Sequence, residues 1–193
     1  MITVEAGDLH KTAKALAHIK GATPKALALA MNRAIKKGRT ELSKETRKIY
    51  TIKQKDLYST LTLQNASGGS LGAEIRSRYS GMLKLYDFKV APRGVQRRGR
   101  RPVTATVRVG GGGTMAGGFV ARMPTGHLGV FIRSSGSRMP SKPWKESINE
   151  LHTISAPIMV SQPEVEGPTQ EAIQAEFSKR LDHEIKRVLK GAG

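Results

Sequence analysis

The sequence contains no cysteine. That absence excludes disulfides, thiolate nucleophiles, thiolate zinc sites and iron–sulfur clusters together. It fits a chain that works in a reducing cytoplasm or in a particle assembled there. Aromatic residues are scarce as well: four Phe, four Tyr and one Trp make up 5% of 193 residues. Ala, Val, Leu and Ile must then supply most of the buried surface, at roughly 25 cal/mol per Å² of apolar area. So lean a core leaves little margin, and burial between copies of the chain is a natural supplement. No stretch approaches the ~18 apolar residues of a membrane span. The opening MITVEAGDLHK carries Glu5 and Asp8 and no apolar run, so no signal peptide is expected.

Acidic residues are the other shortage. Fifteen Asp and Glu face 33 Lys and Arg, a net charge of +18. The imbalance is local. Residues 151–193 hold six acidic and five basic residues, whereas residues 1–150 hold nine acidic and 28 basic. Self-repulsion opposes such an excess, so a polyanionic or acidic partner is its simplest reason. Through residues 1–150 the carboxylates Glu5, Asp8, Glu41, Glu45, Asp56, Glu74, Asp87, Glu146 and Glu150 are scattered, and no local pattern proposes an acid–base pair. His10, His18, His127, His152 and His183 show no metal-ligand spacing, and Asp182-His183-Glu184 points three ways from one helix. Neither an enzyme nor a metal or cofactor site is therefore expected.

Periodicity gives an α+β chain. Asp8 is placed to cap a first helix through Leu9, Ala13, Leu16 and Ile19, stopped at Gly21. Thr23-Pro24 starts a second, along which Leu27, Ala30, Met31, Ala34, Ile35, Leu42, Thr46 and Ile49 recur at helical spacing. Gly38, inside it, costs up to ~1 kcal/mol relative to Ala, so a kink or a close approach is expected there. A short helical turn from Thr51 through Leu57 follows. Strands are expected over Leu61–Gln64, Leu71–Tyr79, Met82–Val90, Val103–Val109, Phe119–Met123 and Leu128–Arg133, paired in a mostly antiparallel sheet. GGGGTMAGG at 110–118 reads as a flexible hairpin loop, not a phosphate loop, since no Gly-Lys-Ser or Gly-Lys-Thr follows. Residues 134–168, with five prolines, read as loop. An amphipathic helix along Ile173, Phe177, Leu181, Ile185 and Val188 closes the chain. The division expected is a helical arm over 1–50 and an α+β body over 51–193, forming one compact unit.

The densest basic cluster is Arg93, Arg97, Arg98, Arg100 and Arg101, within APRGVQRRGRRP. Arginine forks bind phosphate bidentately and a glycine-bearing loop can conform to it, so DNA backbone contact is one reading. Docking on an acidic neighbouring subunit is the other. No aromatic interleaves the cluster, so base stacking is not indicated.

Three stretches carry a family resemblance. The first is Met31-Asn32-Arg33-Ala34 with Gly38-Arg39-Thr40 and Thr46–Tyr50. The second is FVARMPTGHLGVFIR at Phe119–Arg133, with Gly126-His127 at a hairpin tip. The third runs from Ser155-Ala156-Pro157-Ile158-Met159 to Phe177 and Lys179–Ile185. In this order they resemble the prophage minor tail protein Z family of long-tailed phages. The resemblance implies a virion structural protein, present in host cytoplasm during assembly and then in the tail. It implies tail completion at the head-proximal end beside the tail terminator and tail tube, aiding head–tail joining and DNA passage. A homo-oligomer, a hexameric ring by the usual tail symmetry, and non-specific contact with phage DNA fit that role. The arginine loop and GGGGTMAGG depart from the family pattern, and Pro140–Leu151 matches weakly, so no role carries over to them. On charge alone, a sequence-independent nucleic-acid-binding protein is the alternative.

Overall fold

The computed structural model describes residues 2–3, 22–77, 81–95, 102–140 and 142–191. The helix expected from Asp8 to Gly21 lies outside them. The described chain is α+β with antiparallel pairing throughout, divided among three three-stranded sheets rather than one. Its elements are β1 (Ile2–Thr3), α1 (Ala22–Ile49), α2 (Gln54–Ser59), β2 (Leu61–Gln64), β3 (Glu74–Ser77), a 3-10 turn (Leu85–Asp87) and β4 (Lys89–Ala91). Then follow β5 (Val103–Thr106), β6 (Gly113–Met115), β7 (Phe119–Arg122), β8 (Leu128–Met139), β9 (Lys142–Glu150), α3 (Ala156–Val160) and α4 (Pro163–Gly191). They fall into two compact units.

The first unit comprises residues 1–46, 58–79 and 157–193. On α1 the residues Leu27, Ala30, Met31, Ala34, Ile35 and Leu42 are buried, as their spacing predicts, while Lys25, Arg33, Lys36, Lys37 and Lys44 are exposed. Gly38 belongs to the buried face. A Cβ there would overlap the Ile173 side chain of α4 and lie 3.3 Å from Cδ1 of Ile75 on β3. The expected close approach is therefore the meeting of two helices and a strand. Asn32 works on the other side: its amide nitrogen donates to the Ala66 carbonyl (2.9 Å) and its amide oxygen accepts from the Ala66 N–H (2.8 Å). One side chain thus pins the turn that joins β2 to β3, whose register sets Leu63 opposite Ile75.

Along α4 the buried stripe is Val165, Thr169, Ile173, Phe177, Leu181 and Glu184, two turns longer upstream than periodicity predicts. Gly167 and Pro168 disguise those turns. Both are exposed, so the missing proline N–H leaves only a solvent-side carbonyl unpaired within the helix, and the stripe beneath continues. The Thr169 hydroxyl, fully buried, donates to the Val165 carbonyl (2.6 Å).

The second unit comprises residues 47–57 and 80–156. Its core is Leu85, Val90, Val103, Ala105, Val120 and Val130, drawn from both the β4-β5-β6 and β7-β8-β9 sheets. Three expectations fail here. Met82–Val90 is not one strand: a 3-10 turn with Leu85 and Phe88 buried interrupts it, Lys84 makes an isolated bridge with His152, and Lys89–Ala91 pairs with β5. The glycine run is not merely a loop, because Gly113–Met115 forms β6 against Val103–Ala105. Residues 134–168 are not loop either, since β8 runs on to Met139 and β9, α3 and the start of α4 follow. The prolines misled because all but Pro168, which lies on the exposed side of α4, stand at a turn, an edge or a start. Pro140 lies in the β8–β9 turn and Pro143 on the edge strand β9, while Pro157 and Pro163 open helices.

The β7–β8 hairpin forms where expected, with Gly126 at φ 84° and its N–H donating to the Met123 carbonyl (2.8 Å). The spacing of Phe119, Ala121 and Met123 predicts that they share a core with Val130 and Ile132, but on β7 the opposite face is the buried one. Register pairs Val120 with Val130 and Phe119 with Phe131, so Val120 and Val130 enter the core while the two rings meet on the opposite face, centroids 6.3 Å apart.

Candidate functional site

The arginine-rich segment lies in sequence between β4 and β5, which pair antiparallel. Ala91 pairs with Thr104, and the Thr104 hydroxyl donates to the Ala91 carbonyl (3.3 Å), which closes the strand pair next to that segment. Arg93 sits at its base, on the exposed side. Its Nη2 donates to the carbonyls of Tyr86 (2.8 Å) and Phe88 (3.2 Å), its guanidinium lies 5.1 Å from the Tyr86 ring centre, and the Tyr86 hydroxyl donates to the Arg93 carbonyl (3.0 Å). Arg93 thereby ties the start of the segment to the 3-10 turn. Arg97, Arg98, Arg100 and Arg101 lie outside the described residues, so the five arginines are not seen together.

Three other arginines are likewise laid on rings, among them Arg133 at 5.4 Å from the Phe119 ring centre. Arg39 of α1 stands 4.8 Å from the Tyr58 ring centre and Arg108 stands 5.5 Å from that of Tyr50. On α1 both Lys37 (2.9 Å) and Lys44 (3.3 Å) reach Glu41. The Lys37 hydrogen bond is the main reason the Glu41 carboxyl titrates below the usual carboxylate range. Exposed Lys25, Arg33, Lys36 and Arg47 line the same helix as a basic row.

A polar cluster that spacing did not reveal lies in the second unit. His127 Nε2 stands 2.7 Å from Glu150 Oε1, joining the β7–β8 tip to the end of β9, with the imidazole edge-on to Phe131. Asp87, on the 3-10 turn, has its carboxyl pushed up. Burial is the main cause and Asp56 repels it next, while Lys84 and Lys53 oppose the shift and Glu150 adds to it. The partners are 23 residues apart for His127 and 31 for Asp56, beyond any local motif. Among the described residues no three His, Asp or Glu side chains gather to hold a metal ion.

Two exposed apolar features complete the inventory. Beyond Ile132 the β8–β9 hairpin leaves the core: residues 135–138 and 142–145 are exposed on both strands, and Trp144, the only tryptophan, is 73% exposed. Lys142, Lys145 and Arg138 surround it in sequence and register, with Glu146 paired opposite Arg138. In the first unit a groove of about 360 Å³ is lined by Leu42, Leu61, Ile75, Pro157, Ile158 and Val160, with Glu166 at its edge. Ile158 is 51% exposed there. Arg76 also borders the groove, paired with the buried Glu74 carboxylate.

Residues 8–191 match the family described as Prophage minor tail protein Z. No curated protein and no solved structure matches the chain.

Proposed function

The chain belongs to the prophage minor tail protein Z family, and on that premise we propose that it is a non-catalytic structural protein that completes the tail at its head-proximal end. It is made in the host cytoplasm, joins the tail beside the terminator and tube proteins, and prepares the tail for head joining and DNA passage. The observation that carries this reading is the match across residues 8–191. Tails assembled without the chain test it. They should be complete in length but fail to yield infectious particles when mixed with filled heads, and added chain should restore infectivity. Normal infectivity without the chain ends the proposal.

In that setting the chain acts as a homo-oligomer, with a ring of six matching the tail's symmetry. Six copies would gather on the order of a hundred positive charges at one junction, which calls for compensating anions. Arg97, Arg98, Arg100 and Arg101 are the proposed contacts, either with DNA backbone or with an acidic neighbour. The net charge of +18 also favours the alternative of a sequence-independent nucleic-acid-binding protein. Salt dependence separates the cases: on duplex DNA each neutralised phosphate adds a log–log slope of roughly −0.9. Changing these four arginines to Gln should flatten the slope. If the parent shows no salt-sensitive DNA binding, both the DNA contact and the alternative fall and the acidic neighbour remains.

A further inference from the structure

We infer that the outer β8–β9 arm of one copy docks, through Trp144, in the apolar groove of a neighbouring copy, so that the chain associates head to tail. The inference rests on the self-association proposed above and names the surfaces that carry it. Within the single chain the sole tryptophan is 73% exposed on a two-stranded arm with no core beneath it. An indole held on a strand is a large rigid apolar anchor, the kind that concentrates binding energy when a pocket covers it. The groove supplies about 360 Å³, an apolar lining, and the half-exposed Ile158 at its mouth.

Charge selects the pairing. Around Trp144 stand Arg138, Lys142 and Lys145 against Glu146 alone. At the groove stands Glu166, with Glu164 beside it in the acidic first turn of α4. Arg76, the basic residue bordering the groove, is committed to Glu74. An arm laid on a second arm would set like charges face to face, and a groove on a groove would do the same with carboxylates. Only arm on groove places opposite signs together. Such a contact joins two different patches, so it repeats from copy to copy and closes into a ring if the rotation allows.

The full-length chain offers its own probe, because Trp144 is the only tryptophan and its emission reports its burial. As concentration rises, sedimentation velocity should show association and the emission should shift to the blue in step. Trp144→Ala and Ile158→Arg, both at exposed positions, should keep the parent's unfolding temperature and each weaken association by more than about tenfold. The decisive sample is their equimolar mixture. One variant retains a working groove and the other a working arm, so they should form dimers and nothing larger, with the blue shift appearing only on mixing. A parent that stays monomeric with unchanged emission overturns the inference. So does either variant assembling like the parent, or a mixture that stays monomeric or grows past dimers. Binding of the arm to an acidic partner other than this chain would appear as the first of these results. None of these failures touches tail completion, which is judged by tails that lack the chain.

Discussion

The two units solve the same shortage of large side chains in different ways. In the first, α1 and α4 present long stripes, and the small residues Ala26, Ala30, Ala34 and Gly38 let the helix backbones come close to their neighbours. Phe177 is its one buried phenylalanine. In the second, short strands from two sheets bury chiefly valines, and the β8–β9 hairpin continues outward as the Trp144 arm. Helices that must pack along their whole length leave little chain to spare for partners. Hairpins bury one end and project the other, so the second unit is where contact loops come at little cost to the core.

That contrast can be broken by mutation. The largest effect should come from Val130→Asp, which puts a carboxylate where both sheets of the second unit meet and Val130 has no exposure. We expect a loss of at least about 4 kcal/mol, or no folded protein, by urea unfolding. A folded variant near parental stability would mean that the two sheets share no sealed core. Next comes Phe177→Ala in the first unit, at about 3–5 kcal/mol in the same measurement. If it costs under ~1 kcal/mol, the helices must close the space freely, and their packing is not the tight kind described.

Gly38→Ala sharpens the contrast further. Helix propensity alone favours Ala by up to ~1 kcal/mol, but the new methyl meets Ile173. We expect a net destabilisation of about 1–3 kcal/mol, largely relieved when Ile173 is also changed to Ala. A stabilised single variant would show that α1 and α4 are not in close approach.

The smallest effect concerns Asp87. Its carboxyl is held above its ordinary value, chiefly by burial, so the folded chain binds this proton more tightly than the unfolded chain does. Stability then falls as pH rises from the ordinary aspartate value through the raised one, and the deficit persists at neutral pH. Asp87→Asn should remove that fall and raise neutral-pH stability by roughly 0.5 kcal/mol or less. A variant whose stability curve against pH overlays the parent's would show that Asp87 feels no such environment.

Periodicity was a sound guide wherever one face of an element is buried and the other wet. Leu27 to Leu42 on α1 and Ile173 to Leu181 on α4 are examples, as is the Leu61–Gln64 strand. It failed for elements outside that condition. The outer β8–β9 arm is wet on both faces, so its residues alternate in nothing, and Pro140 and Pro143 made it look like loop. The faces of the β7–β8 hairpin were misassigned because apolar residues stand on both, rings on one and aliphatic side chains on the other, and only the register with β8 decides which side turns inward. Of the candidate site, the arginine cluster was legible as composition, whereas the Arg93–Tyr86 clasp, the His127–Glu150 pair and the Trp144 arm were not.

By itself the sequence determined the class of protein: a cysteine-free, strongly basic α+β chain whose ordered segments resemble one family of tail proteins. Those properties depend on which residues are present and on short-range spacing, and no folding is needed to count them. Tertiary structure alone decided which glycine is a contact point, which valines make the second unit's core, and which charged residues are already engaged. Each of those depends on residues far apart in the chain being brought within a few ångströms, a relation that local periodicity does not encode.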